Sequence, residues 1–286
     1  MKRVLFILIL FSSVSITTEI DSFSIRNTEL KDSTIYLNNL MNSYIQESIA
    51  EANTWGYCDN ESFINNLHNR IGGFFWTTFE NTISSSSVIP WVTTCLEDSI
   101  YQDFSFFYAP ALYLASLGPV LRLGNYFIGS DKFGHFISTG YDYYKAYKNN
   151  QDSLEHALEF GEYSESGYFG RQTTGIYSWA DLVANYHGFK YFWSKLIGNN
   201  SSFYIICKNN KYYQARIFDW TTHINAGWDE GINCNSYKNK ILEEQVEKRL
   251  SLLNLSCPVA PQECKELINL YGDLAPRLVS PICFGN

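Results

Sequence analysis

The sequence predicts a mainly α fold: a helical core with a small β-hairpin near 203–218 and a loop-rich, cysteine-containing C-terminal tail. Three observations predict it. Apolar residues recur at three- and four-residue spacing in several separate stretches. Alternation typical of strands is confined to 203–218. No repeat of roughly 20–50 residues occurs, which argues against solenoids and propellers. With 286 residues, 45% of them hydrophobic, 17% aromatic and 17% charged, the chain has material for a sizeable core and little of the character of a disordered one. A single mostly helical domain over 18–286 follows, with a polar-site core at 129–188 and the hairpin and C-terminal extension at 203–286.

The elements are read in chain order. Lys2 and Arg3 precede an unbroken apolar run from Val4 to Phe11, and small residues follow through Thr17. This is the pattern of a cleaved secretory leader over 1–17, too short to span a bilayer of ~30 Å. No cysteine follows the run before Cys58, so a lipid anchor is not expected. Ile35, Leu37, Leu40, Met41, Tyr44, Ile45 and Ile49 predict an amphipathic helix from about Asp32. Asn60 or Ser62 can cap a second one through Phe63, Ile64, Leu67 and Ile71, ended by Gly72 and Gly73. Ser84–Ser87 reads as a loop and Trp91–Tyr101 as a further helical piece.

Phe104–Leu121 carries no charge in 18 residues but is interrupted by Pro110 and Pro119. The prolines favour a buried or membrane-interfacial helix over a spanning one. Residues 153–165 are helical in pattern and exit into a glycine- and serine-containing loop that holds Glu165. Around Asn209-Asn210, Phe203, Ile205 and Cys207 face Tyr213, Ala215 and Ile217 as a hairpin. Ile241, Leu242, Val246, Leu250 and Leu253 line one face of a helix over 238–254.

Charge and cysteines bound the function. The net charge is −8, or −10 once the two basic leader residues are removed, and no basic run exceeds two residues. Nucleic acid is therefore not an expected partner. Seven cysteines suit an oxidising compartment, with up to three disulfides and one thiol left over. Six cysteines allow 15 pairings, and Cys257 and Cys264 lack the spacing of a zinc site. An exported protein, periplasmic or outer-membrane-associated if the source is bacterial, is expected.

The chemistry concentrates in 129–188. Ser130 is placed to cap a helix on which Asp131 and His135 stand one turn apart. A carboxylate there can orient His135 as a general base, and both can serve as metal ligands. Glu165 sits where functional side chains gather. Farther on, Ser178 precedes Asp181 with capping spacing, and Asp181, Asn185 and Gly188 share one face. Such a polar stripe on an apolar helix requires an internal partner, and the segment holding Asp131, Lys132 and His135 is the one at hand. A second group, Asp219–Glu230, repeats the four-residue spacing in Asp219 and His223. Its Trp220 and Trp228, with Tyr212 and Tyr213, can line an aromatic groove or be buried, with the acids exposed on a turn.

Asp-Lys-x-x-His-Phe, an acidic loop, and Ser-x-x-Asp-x-x-x-Asn-x-x-Gly together resemble the pattern of the VanZ-like and YfiM-like bacterial envelope families. The resemblance covers about 60 of 286 residues. It implies a helical, membrane-embedded or periplasmic protein whose shared polar set is Asp131, Lys132, His135, Glu165, Asp181 and Asn185. Multiple transmembrane helices, by contrast, are missing from this sequence.

Motifs for nucleotide cofactors, zinc proteases and serine hydrolases are absent. Two readings remain. One is an envelope hydrolase or transferase acting on a lipid or glycan, with His135 as base or metal ligand, Lys132 stabilising developing charge, and a divalent metal allowed at His135, Asp131 and Asp181 but not required. The other is a non-catalytic envelope protein whose polar set is a buried helix-pairing network. A lipid- or glycan-binding module rests on the aromatic content alone, and 104–121 is the segment suited to membrane-interface contact.

Overall fold

The computed structural model describes residues 19–73, 76–167 and 170–285, so the predicted leader lies outside the described residues. Helix α1 (Thr34–Ala52) starts where Asp32 accepts the Thr34 amide and buries Leu37, Met41, Ile45 and Ile49. Helix α2 (Asn60–Ile71) is capped by Asp59, one residue before the expected caps, and ends at Gly72. Helix α3 (Thr78–Ser85) begins with a reciprocal Thr77/Glu80 capping box. Between Trp91 and Tyr101 the expected helix is absent, and only Leu96–Asp98 makes a 3-10 turn.

The uncharged stretch is also not one helix. Only α4 (Pro110–Leu114) is helical, begun by Pro110, and the chain then passes through Pro119 into β1 (Val120–Leu123). A proline locks φ and donates no hydrogen bond, so it starts α4 but cannot sit inside a longer helix. Among the described residues no helix is long and apolar enough to cross a membrane. Strand β1 pairs antiparallel with β2 (Tyr126–Gly129) around Gly124, whose φ is +58°.

Strand β2 delivers the chain into α5 (Asp131–Gly134), which runs through a π-helical turn (His135–Thr139) into α6 (Gly140–Asn149). Helix α7 (Leu154–Ser166), capped by Ser153, returns along α6. After β3 (Ile176–Tyr177), α8 (Trp179–His187) leads into a second π-helical turn (Gly188–Phe192). The two helical rods cross at a glycine pair. A Cβ on Gly140 would lie 2.9 Å from Gly188 Cα, and one on Gly188 would lie 1.9 Å from the Phe136 carbonyl oxygen. Glycine is needed here because the two backbones approach this closely.

Strands β4 (Ile197–Gly198), β5 (Ile205–Lys208) and β6 (Lys211–Gln214) form a three-stranded sheet, with β4 parallel to β5. The antiparallel β5–β6 pair turns at Asn209 and Asn210, whose φ values are +52° and +58°. It is shorter than the expected 203–218. Strand β7 (Ser236–Tyr237) pairs with β3, and α9 (Lys240–Leu252) is capped by Asn239.

The C-terminal tail is helical rather than loop-rich. It holds α10 (Pro261–Tyr271) and α11 (Ala275–Leu278), each with a proline in its first turn. Bonds Cys234–Cys257 and Cys264–Cys283 staple it, Cys58–Cys207 ties α2 to β5, and Cys95 is an exposed free thiol. Three disulfides are what an exported chain can keep. The main core surrounds the α5–α6 and α8 rods with Phe133, Phe136, Phe192, Phe218, Trp220 and Trp228. Tyr101, Phe104, Leu112, Ile176, Leu242 and Val246 build a second core.

Candidate functional site

The crossing of α5 and α8 brings together all six residues singled out from the sequence. Lys132 is fully buried. Its Nζ lies 2.7 Å from Asp131 Oδ2, 2.5 Å from Asp181 Oδ1 and 2.6 Å from Glu230 Oε1. His135, the most open member, keeps 21% of its side chain exposed. Its Nε2 is 3.1 Å from Asp181 Oδ2, and its Nδ1 is 3.0 Å from Asn185 Oδ1 and 4.0 Å from Glu165 Oε1.

Local structure explains the placement. Ser178 caps α8 by accepting the Asp181 amide at 3.2 Å, which leaves the Asp181 carboxylate free to turn inward. That carboxylate is shared, one oxygen to Lys132 and the other to His135. Ser130, by contrast, has helical backbone angles and does not cap α5. Asp131 Oδ1 accepts the Lys132 amide instead, and Oδ2 takes the ammonium. Asp131 therefore does not orient His135; Asp181 and Asn185, from the facing helix, do.

Glu165 is not in a loop. It occupies the last turn of α7, 2% exposed, and no hydrogen bond to its carboxylate is seen among the described residues. Helix α7 comes this close because Gly161 leaves room for Tyr143: a Cβ there would lie 1.4 Å from the Tyr143 hydroxyl.

Two members lie outside the set that the sequence points to. Glu230 takes hydrogen bonds from Ser178 Oγ at 3.2 Å and Asn235 Nδ2 at 2.8 Å besides pairing with Lys132. It stands at the end of the Asp219–Glu230 segment, where an exposed turn is expected for the acids, yet both Asp229 and Glu230 are buried. Asp229 pairs with Arg26 and accepts the amides of Phe127 and Gly231. Glu19, the first described residue, is also buried near Glu230, Asp181 and Lys132, and nothing in its sequence context signals that. Of the two readings of this aromatic group, burial holds and no groove forms among the described residues: Trp220, Trp228 and Tyr212 are core residues, and Tyr213 is exposed. His223 is buried too, its Nε2 2.8 Å from the Tyr204 hydroxyl.

Five carboxyls (Glu19, Asp131, Glu165, Asp181, Glu230) thus surround two cationic side chains, Lys132 and His135. Burial opposes charge on every member. For Lys132 the adjacent Asp131, Asp181 and Glu230 overcome burial and hold the ammonium charged. For His135 burial is likewise overcome, by Asp181 and then Glu165, which push the imidazole up to about 10. Against its own burial, Asp181 is held well below the usual carboxylate range by His135 and Lys132. Glu165 goes the other way: burial and then Asp181 push it up to about 8. Burial raises Glu230 to about 7, and burial followed by Glu230 and Asp181 raises Glu19. Burial thus drives Glu19, Glu165 and Glu230 towards the protonated form, while Asp181 is held charged.

Asp131, His135 and Asp181 each offer one donor atom, all within 4.8 Å of one another, so this group could hold a metal ion. Cys257 and Cys264 are held in two separate disulfides. The chain matches no family model, no curated protein and no solved structure, so the chemistry of the cluster itself carries its functional reading.

Proposed function

We propose that this chain is an exported envelope enzyme, a hydrolase or transferase that uses the His135–Asp181–Glu165 group for acid–base chemistry on a lipid or glycan substrate. One observation carries the proposal. A buried carboxyl without a hydrogen bond among the described residues, Glu165, faces a part-exposed imidazole that is itself held by Asp181 and Asn185. A carboxyl raised to about 8 is suited to moving a proton near neutral pH. His135, pushed up to about 10, is an imidazolium there. It stabilises developing negative charge rather than acting as the base. Asp181 and Asn185 orient its ring. Lys132, enclosed by carboxylates, is a positioning residue, not an electrophile.

Envelope location has three supports. Three disulfides fit an oxidising compartment. Phe106, Phe107, Tyr113 and Leu114, from the uncharged stretch, are exposed and suited to resting at a bilayer surface. The likeness to the VanZ-like and YfiM-like pattern points the same way. The alternative, a purely structural network, is favoured by the saturated Lys132 but not by Glu165, which pairs two helices with no hydrogen bond among the described residues.

The test incubates purified protein with phospholipid vesicles and, separately, with N-acetylglucosamine polymer, and identifies products by mass spectrometry. Glu165→Gln is expected to keep the cooperative fold and to lose about a hundredfold or more in rate. Full activity in that variant, or no product from either material, would overturn the proposal.

A further inference from the structure

Beside the ion cluster lies a cleft of about 530 Å³, within the size range of small-ligand sites. It is separate from the space around His135 but built on the same elements. Tyr163 comes from α7, one turn of which carries Glu165. Tyr177 and Trp179 flank Ser178, the cap residue that also donates to Glu230. Arg171 lies on the loop joining α7 to β3, and Arg277 stands on α11.

The lining has a definite chemistry. Tyr177 and Trp179 meet edge to face, with ring centroids 5.1 Å apart, and the indole is fixed by its Nε1 donating to Ser236 Oγ at 3.0 Å. Tyr163 is 79% exposed, so its ring is open to a ligand at the rim of the cleft. Polar groups are interleaved with these rings. Arg277 is held at 2.5 Å by Glu162 and at 2.7 Å by Glu155, so its guanidinium is immobilised at the wall. Arg171 is exposed and, among the described residues, donates a 3.3 Å bond to the Tyr237 carbonyl. Rigid aromatic faces alternating with fixed donors and acceptors match a ligand that presents C–H faces and hydroxyls by turns. A lipid chain would require a continuous apolar lining, which this cleft lacks.

We propose that the cleft is a glycan-binding site, separate from the His135 group and independent of the enzyme reading above. Sugar rings stack on Tyr177, Trp179 and Tyr163, while Arg171 and the Glu162–Arg277 pair take hydroxyl or carboxylate groups. Occupancy places the glycan along the outer face of α7 formed by Glu159, Glu162, Tyr163 and Ser166.

The test measures binding, not turnover. Soluble N-acetylglucosamine tetrasaccharide, maltotetraose and phosphatidylglycerol vesicles are titrated into the full chain and followed by calorimetry. At least one saccharide is expected to bind, with Trp179→Ala and Arg171→Ala each weakening it by about tenfold. Arg171 and Tyr163 are exposed, so Arg171→Ala and Tyr163→Ala decide the matter if Trp179→Ala does not fold. Binding of neither saccharide, or saccharide binding unchanged in the folded variants, overturns the proposal. The two proposals fail separately: saccharide binding by the parent chain with no product from any material removes the enzyme reading and leaves the cleft.

Discussion

Lys132 shows how one residue constrains the rest of the site. A fully buried ammonium is tolerated only because three carboxylates meet it within 2.7 Å. Removing one partner of a buried ionic group leaves the others uncompensated, which typically costs about 3–5 kcal/mol. Lys132→Met should therefore unfold at markedly lower urea concentration at neutral pH, and recover part of that loss in mild acid, where the carboxyls protonate. Unchanged stability would mean that the ammonium is not at the centre of the cluster. The residue types and spacing of Asp131, Lys132, His135, Asp181 and Asn185 are legible because a polar stripe on an apolar helix must be paired. Which residue pairs with which is not: Asp131 lies one turn from His135 in sequence, yet it is Asp181, 46 residues on in the numbering, that holds the ring.

At the scale of elements, the site depends on two helical rods crossing closer than side chains allow. Spacing alone puts Gly188 on the same face as Asp181 and Asn185, and that face is the one that meets α5 and the π-helical turn. Gly188→Ala would set a methyl group into the Phe136 carbonyl, forcing the rods apart. Overpacking of this kind costs typically about 1–3 kcal/mol, to be read from denaturant unfolding, and the variant should no longer hold Asn185 within hydrogen-bond reach of His135. Gly56→Ala, where a Cβ meets nothing within 4 Å, is the control for added bulk although its φ of +78° carries some strain. The two π-helical turns are invisible to pattern reading, because one extra residue in a turn leaves no mark on three- and four-residue periodicity. Their position at the crossing accords with the frequent placement of such turns at functional sites. The proline-broken 104–121 stretch shows the opposite case: composition marks it as apolar, but backbone restriction divides it into α4 and β1.

For the whole molecule, buried titratable groups fix how stability depends on pH. His135 is raised from 6.5 to about 10, and Glu165 from 4.5 to about 8. Burial also raises Glu80 and Glu230, each to about 7. A raised group contributes most below its unfolded value, and that contribution is lost as pH rises through the folded one. His68, His187 and His223 are lowered by burial from 6.5 to about 4, 3 and 3. Their contribution is present above 6.5 and lost as pH falls towards those values. Asp181, held low, adds to the loss in acid. Between pH 4.5 and 6.5 the two sets oppose each other, whereas above 6.5 only the raised groups titrate. The melting temperature should therefore fall steadily from pH 6.5 to 10, and Glu165→Gln should flatten the part below about 8. A melting temperature that rises over that window would contradict a buried surplus of carboxyls.

Residue order was enough for the helical class, the short strand turn at Asn209 and Asn210, the number of disulfides and the six polar residues that meet. Each is a local property: periodicity, a permitted positive φ, a compartment's redox chemistry, a stripe that must find a partner. Packing in three dimensions was needed to bring Glu230 and Glu19 into the cluster, to bury Trp220 and Trp228 in the core, to fold the tail into helices, and to form the cleft lined by Tyr177, Trp179 and Arg277. These follow from which segments pack together. Burial, and with it the protonation of each carboxyl, is set by neighbours distant in the chain rather than by residue type.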